Sequence, residues 1–291
     1  MRFEDQDCER RKKRLTMNSN QIFLITGGGR GLGRAIARGA AQAGAKVAVT
    51  ARSVSELTET VELIQQAGGR AVALPADVTD HHAVVEMVAA AESELGPIDV
   101  LINGAGSFRA LGNAAQVDPA EWWREVEINL RGPFLCTHAI LPGMIARRSG
   151  RIINIVSAAG LQAIETVSAY GVSKAALIRL TEALAAETRP HGIAVLAVHP
   201  GTVRTPMSEY AATSPQIQER APLVQQWFQQ LFAEGGDTPM EQAVAFMLAV
   251  ASGRADALSG CYLSVEDDLE ALSAQAEVIQ REARLKLRLR A

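Results

Sequence analysis

From Gln21 onward, short apolar runs rich in β-branched residues alternate with amphipathic stretches of roughly 12 to 20 residues. The runs are Ile22–Thr26, Lys46–Ala51, Ala71–Pro75, Ile98–Ile102, Arg151–Val156, Ile193–Val198 and Cys261–Val265. Their near-continuous apolar character suits strands buried on both faces, as parallel strands are. The intervening stretches are long enough for right-handed crossovers that put helices on both sides of a sheet. No Pro/Gly/Ser linker interrupts the alternation before about residue 265. The pattern therefore predicts an α/β fold: a Rossmann-like, doubly wound parallel sheet of about seven strands, in one domain spanning 21–265. Residues 1–20 carry the charged run Glu9–Arg14 and little to bury, and read as a disordered extension. Residues 266–291 read as one more helix, with Leu269, Leu272, Ala276 and Ile279 on a stripe that packs on the body or on a partner chain.

Composition narrows the function. With 48% hydrophobic and 21% charged residues and a net charge of −3, the 291-residue chain has material for a large core. It has no electrostatic reason to seek nucleic acid or anionic lipid. Cys8, Cys136 and Cys261 lie far apart, and the histidines form no ligand spacing, so no metal site is expected. No run of about 18 apolar residues predicts a membrane span and no export h-region is visible, so the expected location is cytoplasmic.

The first strand runs directly into Thr26-Gly27-Gly28-Gly29-Arg30-Gly31-Leu32-Gly33 and then into a helical stretch. A small-residue turn between a strand and a helix brings backbone N–H groups and the helix N-terminus to a pyrophosphate. A merely tight turn is the bland alternative; the position at the first βα crossover favours dinucleotide binding, with Gly27, Gly31 and Gly33 intolerant of a side chain. The second strand ends in Thr50-Ala51-Arg52-Ser53, with no acid before Glu56 to select a ribose 2′-hydroxyl. Arg52, with Arg30, suits a 2′-phosphate, so NADP(H) is the expected cofactor and NAD the alternative.

Tyr170 and Lys174 are four residues apart at the start of a helical run and share its face. An ammonium beside a phenol stabilises the phenolate and fits it for proton transfer. Alone, the pair is more often two surface residues, but Ser157 closes the fifth strand at the sheet edge where doubly wound folds bind ligands.

These residues together make the chain resemble the short-chain dehydrogenase/reductase family over about 21–265. Thr26–Gly33 resembles its cofactor turn, Asp77-Val78 its adenine contact, and Asn103-Gly104-Ala105-Gly106 its sheet-stabilising Asn-Asn-Ala-Gly. Asn129, Ser157, Tyr170 and Lys174 fall where its catalytic tetrad belongs, and Pro200-Gly201-Thr202-Val203-Arg204-Thr205 resembles the segment that cradles the nicotinamide. The resemblance implies Tyr170 as general acid/base, Ser157 orienting the substrate oxygen, and Lys174 lowering the tyrosine pKa while holding the ribose. Asn129 would hold a relay water. It further implies that Arg30, Gly31, Leu32, Arg52, Ser53, Val78, Asn103, Ala105, Gly106, Pro200, Gly201, Val203 and Thr205 line the cofactor, and that the chain reduces a small-molecule carbonyl or oxidises the alcohol.

Two departures stand out. Gly104 replaces the second asparagine, which removes a side-chain hydrogen bond, and Ser264–Leu269 leads into extra chain where relatives stop and assemble. A homodimer through about 119–147 and 169–188 is expected, with the family's homotetramer in question. Residues 205–236 resemble the variable substrate lid, where Trp227, Phe228, Leu231 and Phe232 read first as packing and second as substrate contacts. A dinucleotide-binding protein without chemistry is the rival, against which the intact tetrad argues.

Overall fold

The computed structural model describes residues 20–288. The apolar runs become seven strands: β1 (Ile22–Thr26), β2 (Lys46–Thr50), β3 (Arg70–Ala73), β4 (Val100–Asn103), β5 (Gly150–Ile155), β6 (Ile193–His199) and β7 (Tyr262–Ser264). All pair in parallel, in the order β3-β2-β1-β4-β5-β6-β7. Bounds differ from expectation where local chemistry intervenes. β3 stops before Pro75, which has no N–H to give the ladder, and β4 starts late because the Asp99 carboxylate accepts the Ile22 N–H at 2.9 Å.

Helices α1 (Gly31–Gln42), α2 (Val54–Gln66), α3 (His81–Leu95), α4 (Pro119–Val126), α5 (Gly132–Arg147) and α6 (Ser168–Thr188) make the crossovers. Strand side chains alternate between faces. Phe23, Ile25, Val47 and Val49 pack with α1 and α2, while Leu24, Ala48 and Leu101 pack with α3 and α5. Because the chain leaves β1 for β2 on one side and returns to β4 on the other, the sheet has its topological switch at the carboxyl ends of β1 and β4, where such folds bind ligands.

A π-helical turn, Glu127–Arg131, joins α4 to α5 and contains Asn129. Beyond β6, α7 (Pro206–Thr213), α8 (Pro215–Arg220) and α9 (Pro222–Ala233) cover the end of the sheet, and α10 (Met240–Ala249) returns against α1.

The single helix expected over 266–291 is corrected to two short ones, α11 (Leu269–Ala274) and α12 (Ala276–Arg281), broken at Gln275 with φ −104° and ψ 10°. The break lets Leu269, Ala276 and Ile279 all enter the core of the domain itself. The chain then runs along the sheet edge, where the Leu285 carbonyl accepts the Tyr262 N–H at 2.8 Å. The N-terminal extension expected over 1–20 lies, but for Asn20, outside the described residues.

Candidate active site

The glycine turn is built by close approach. Gly27 has φ +71°, and a Cβ there would meet the Gly104 carbonyl oxygen at 2.8 Å; a Cβ on Gly33 would collide with the Gly27 carbonyl. Arg30, at the N-cap of α1, gives no side-chain cap, so the first N–H groups of a 12-residue helix are left without one. That uncapped start beside side-chain-free backbone fits a pyrophosphate. Thr26 Oγ1 accepts the N–H groups of Gly104 and Ala105, both at 3.0 Å, tying the turn to the loop after β4. The same close packing accounts for Gly104: a Cβ there would sit 2.8 Å from the Thr26 carbonyl oxygen, so an asparagine does not fit this backbone.

The remaining cofactor candidates gather at the same edge. Arg52 is exposed just past β2 and takes part in no ion pair among the described residues, whereas Arg30 pairs with Glu56 at 3.2 Å. Ser53 caps α2 by accepting from Glu56 N. Asp77 accepts from Thr79 N–H and hydroxyl and from Arg124, at 2.7–2.9 Å. Burial works to raise its carboxyl, but Thr79 and Arg124 outweigh that and hold it below the ordinary range. Val78 is buried beneath Gly132. Asn103 is sealed in the sheet, donating to Asn154 at 2.8 Å, and Asn154 donates in turn to Thr181 of α6 at 2.9 Å. After β6, Val203 bridges to Thr238, and Thr205 caps α7 in a reciprocal pair with Ser208.

Three elements bring the tetrad together. Ser157 follows β5, its hydroxyl accepting from Ala159 N at 3.2 Å and standing near enough to the Tyr170 phenol to favour its ionised form. Tyr170 and Lys174 rise from the first turns of α6, with the lysine Nζ 5.5 Å from the tyrosine ring centre and donating to the Ile155 carbonyl at 2.8 Å. Asn129 is fully buried: Oδ1 accepts from Ser107 N at 2.7 Å, and Nδ2 donates to the Ser107 carbonyl at 2.9 Å and to Ser173 Oγ at 3.1 Å. Ser173 in turn donates to the Tyr170 carbonyl at 2.7 Å. Both Nδ2 hydrogens are thus in use, leaving the asparagine side chain little capacity for a water.

Burial dominates the electrostatics. It pushes Tyr170 up to about 12; the neighbouring Ser157 hydroxyl opposes this and the Glu125 carboxylate reinforces it. Burial pushes Lys174 down to about 8, with Glu125 acting the other way. Burial thus governs the phenol, and the expected lowering by Lys174 is not among the influences that set it.

Glu125 is a residue the sequence reading missed. It lies one helical turn before Asn129, a spacing that places both on one face and was the available signal. Over the site, Phe108 meets the Tyr170 ring edge-on at 4.8 Å and Phe228 of the lid at 6.0 Å. Leu111, Ala211, Ala212 and Ile217 complete an apolar cluster there. Phe228 is buried in that cluster, whereas Trp227 stands half exposed. Among the described residues no group of His, Cys, Asp and Glu could hold a metal, and no helix is long and apolar enough to cross a membrane.

Known proteins resemble this chain in sequence and in fold. The sequence profile of short chain dehydrogenases matches residues 21–216. A short chain dehydrogenase of Pseudocercospora fijiensis is 35% identical over 264 residues, covering 87% of this chain and 82% of the relative. A 2-(S)-hydroxypropyl-CoM dehydrogenase of Xanthobacter autotrophicus is 37% identical, covering 69% and 80%. The crystal structure of an actinorhodin polyketide ketoreductase with NADPH superposes with a TM-score of 0.78 at 31% identity, covering 87% of this chain and 99% of that one. The chain belongs to the short-chain dehydrogenase family of oxidoreductases.

Proposed function

We propose that the protein interconverts a small, uncharged or partly apolar carbonyl compound and its alcohol, using NADP(H) in preference to NAD(H), with Tyr170 as general acid/base. The observation that carries this reading is the convergence of Ser157, just past β5, on Tyr170 of α6, with the Lys174 ammonium 5.5 Å from the tyrosine ring centre. Gly27, Gly31, Leu32 and Gly33 would hold the pyrophosphate, and Lys174 the nicotinamide ribose. When bound, the nicotinamide supplies or takes up the hydride. In reduction, Ser157 holds the substrate oxygen and Tyr170 gives it a proton; oxidation runs in reverse. Asn129 is assigned a holding role, since its side chain is committed to Ser107 and Ser173. Apolar side chains of Phe108, Phe228 and the half-exposed Met207 around the site support an uncharged substrate.

The NADP(H) preference draws support from Arg52, exposed where the 2′-phosphate would lie, and from the structural relative solved with NADPH. Fluorescence titrations with NADPH and NADH in parallel test it: the expected result is about tenfold tighter NADPH, or roughly 1.4 kcal/mol. Equal or tighter NADH overturns the preference, and binding of neither by folded protein overturns the cofactor assignment.

We also infer a homodimer. Trp123, Phe134, Ile145 and Val172 stand exposed on α4, α5 and α6, and Trp123 and Phe134 line a groove with Val126, Leu130 and Leu180, beside Glu127 and Arg131. An apolar face of this kind on a chain of this size marks an association surface.

A further inference from the structure

We propose that Glu125 is a positioning residue that clamps the loop after β4 and so sets Phe108 against Tyr170; the proposal rests on the reading of Tyr170 as the acid/base. Glu125 is 2% exposed, on the last turn of α4. One oxygen, Oε2, accepts three bonds, all from that loop: Ser107 Oγ at 3.1 Å, Arg109 N at 2.5 Å and Ala110 N at 3.0 Å. The other oxygen, Oε1, is buried without a partner, so the hydrogen bonding of this carboxyl is spent on the loop alone. A turn later Asn129 grips Ser107 from both sides, through its N–H and its carbonyl.

The held segment leads straight to the reacting group. Phe108 sits between the clamped residues Ser107 and Arg109, with its ring edge-on to Tyr170 and its other neighbour Phe228 in the lid. A carboxyl in an apolar interior is costly, and an aliphatic side chain would fill the space on α4 without that cost. What an aliphatic side chain lacks is an acceptor for the two backbone N–H groups that directly follow Phe108, those of Arg109 and Ala110. Releasing them frees Phe108 to leave the phenol, and the wall shared by the lid and Tyr170 loosens.

The test compares Glu125→Gln, which keeps an accepting oxygen, with Glu125→Leu, which keeps the volume and removes the acceptor; Tyr170→Phe is the control. Hydrogen–deuterium exchange of full-length protein reads the loop without any substrate. Exchange over 105–112 is expected to speed up about tenfold in the leucine variant, to stay near wild type in the glutamine variant, and to change little elsewhere. With benzil as carbonyl probe, kcat of the leucine variant is expected to fall about tenfold while NADPH affinity holds within about twofold, and glutamine is expected to restore most of kcat. Full turnover by Tyr170→Phe overturns the acid/base reading and this proposal with it. If Tyr170→Phe is inactive, unchanged loop exchange or unchanged kcat in Glu125→Leu overturns the clamp alone. Should the leucine variant not fold, Phe108→Leu, which leaves every clamp hydrogen bond in place, is expected to lower kcat about tenfold with loop protection intact; unchanged kcat overturns the proposal.

Discussion

Lys174 is buried and Tyr170 half-buried, and desolvation opposes the ionisation of both, acting on opposite charges. Replacing Tyr170 by Phe removes the proton and little volume, so kcat is expected to fall by about 10²- to 10⁴-fold with cofactor affinity nearly unchanged. Steady-state kinetics beside a binding titration checks this. For Lys174, burial holds the folded-state value near 8 against an ordinary 10.5. Between those values the unfolded chain binds more protons than the folded one, so stability rises with pH. The penalty of burying the ammonium is therefore full below pH about 8 and lifts towards 10.5, on the order of 3 kcal/mol in all. Tyr170, raised from 10 to about 12, acts oppositely, costing stability only above pH 10. Urea midpoints measured between pH about 8 and 10 are expected to rise in the wild type relative to Lys174→Met; parallel curves would show that the lysine is not so perturbed.

At the scale of elements, the turn between β1 and α1 works because backbone meets backbone where a side chain would stand. Gly33→Ala pushes a methyl group into the Gly27 carbonyl. The expected outcome is a loss of about 1–3 kcal/mol in stability, as overpacking costs, together with weakened NADPH binding, both visible in thermal shifts with and without cofactor. The lid depends on one aromatic anchor, since Phe228 touches Phe108, Trp227 and Phe232. Phe228→Ala is expected to cost about 3 kcal/mol if the lid unfolds together with the domain. A smaller global loss, with proteolysis confined to 206–233, would show that the lid opens by itself. The strands and the glycine turn were legible beforehand because short, near-continuous apolar runs rich in β-branched residues and a strand-to-helix glycine run are local signals. The break at Gln275 was not: Leu269 to Ile279 carries an unbroken helical stripe, and only the geometry of the core it enters divides it.

For the whole molecule, the two ends of the sheet differ in what they offer a partner. The face of α4, α5 and α6 is apolar and open, and charge placed on it by Trp123→Glu with Phe134→Glu is expected to convert a dimer to monomer in equilibrium sedimentation. A monomeric wild type would remove the inferred dimer. At β7, by contrast, the chain covers its own edge. Leu285 accepts the Tyr262 N–H, and the Leu287 N–H reaches Glu182 of α6 at 2.7 Å. A covered edge does not pair with another copy, so assembly beyond a dimer through that end is not expected.

The sequence by itself determined the sheet, its crossovers and the glycine turn, because each is written in local periodicity; it offered Tyr170 and Lys174 by their spacing on one helix, Ser157 by its place at the sheet edge, and Asn129 only through the family resemblance. Only the tertiary structure decided which groups those residues are committed to. Asn103 is spent on Asn154, Asn129 on Ser107 and Ser173, and Gly104 on a backbone contact with Thr26. It also brought forward Glu125, an ordinary acidic residue of a helix until β4 delivers a loop of unpaired N–H groups beside it. The physical reason is common to all: a hydrogen bond across 15 or more residues depends on where two elements come to rest, and no periodicity within either one records the distance between them.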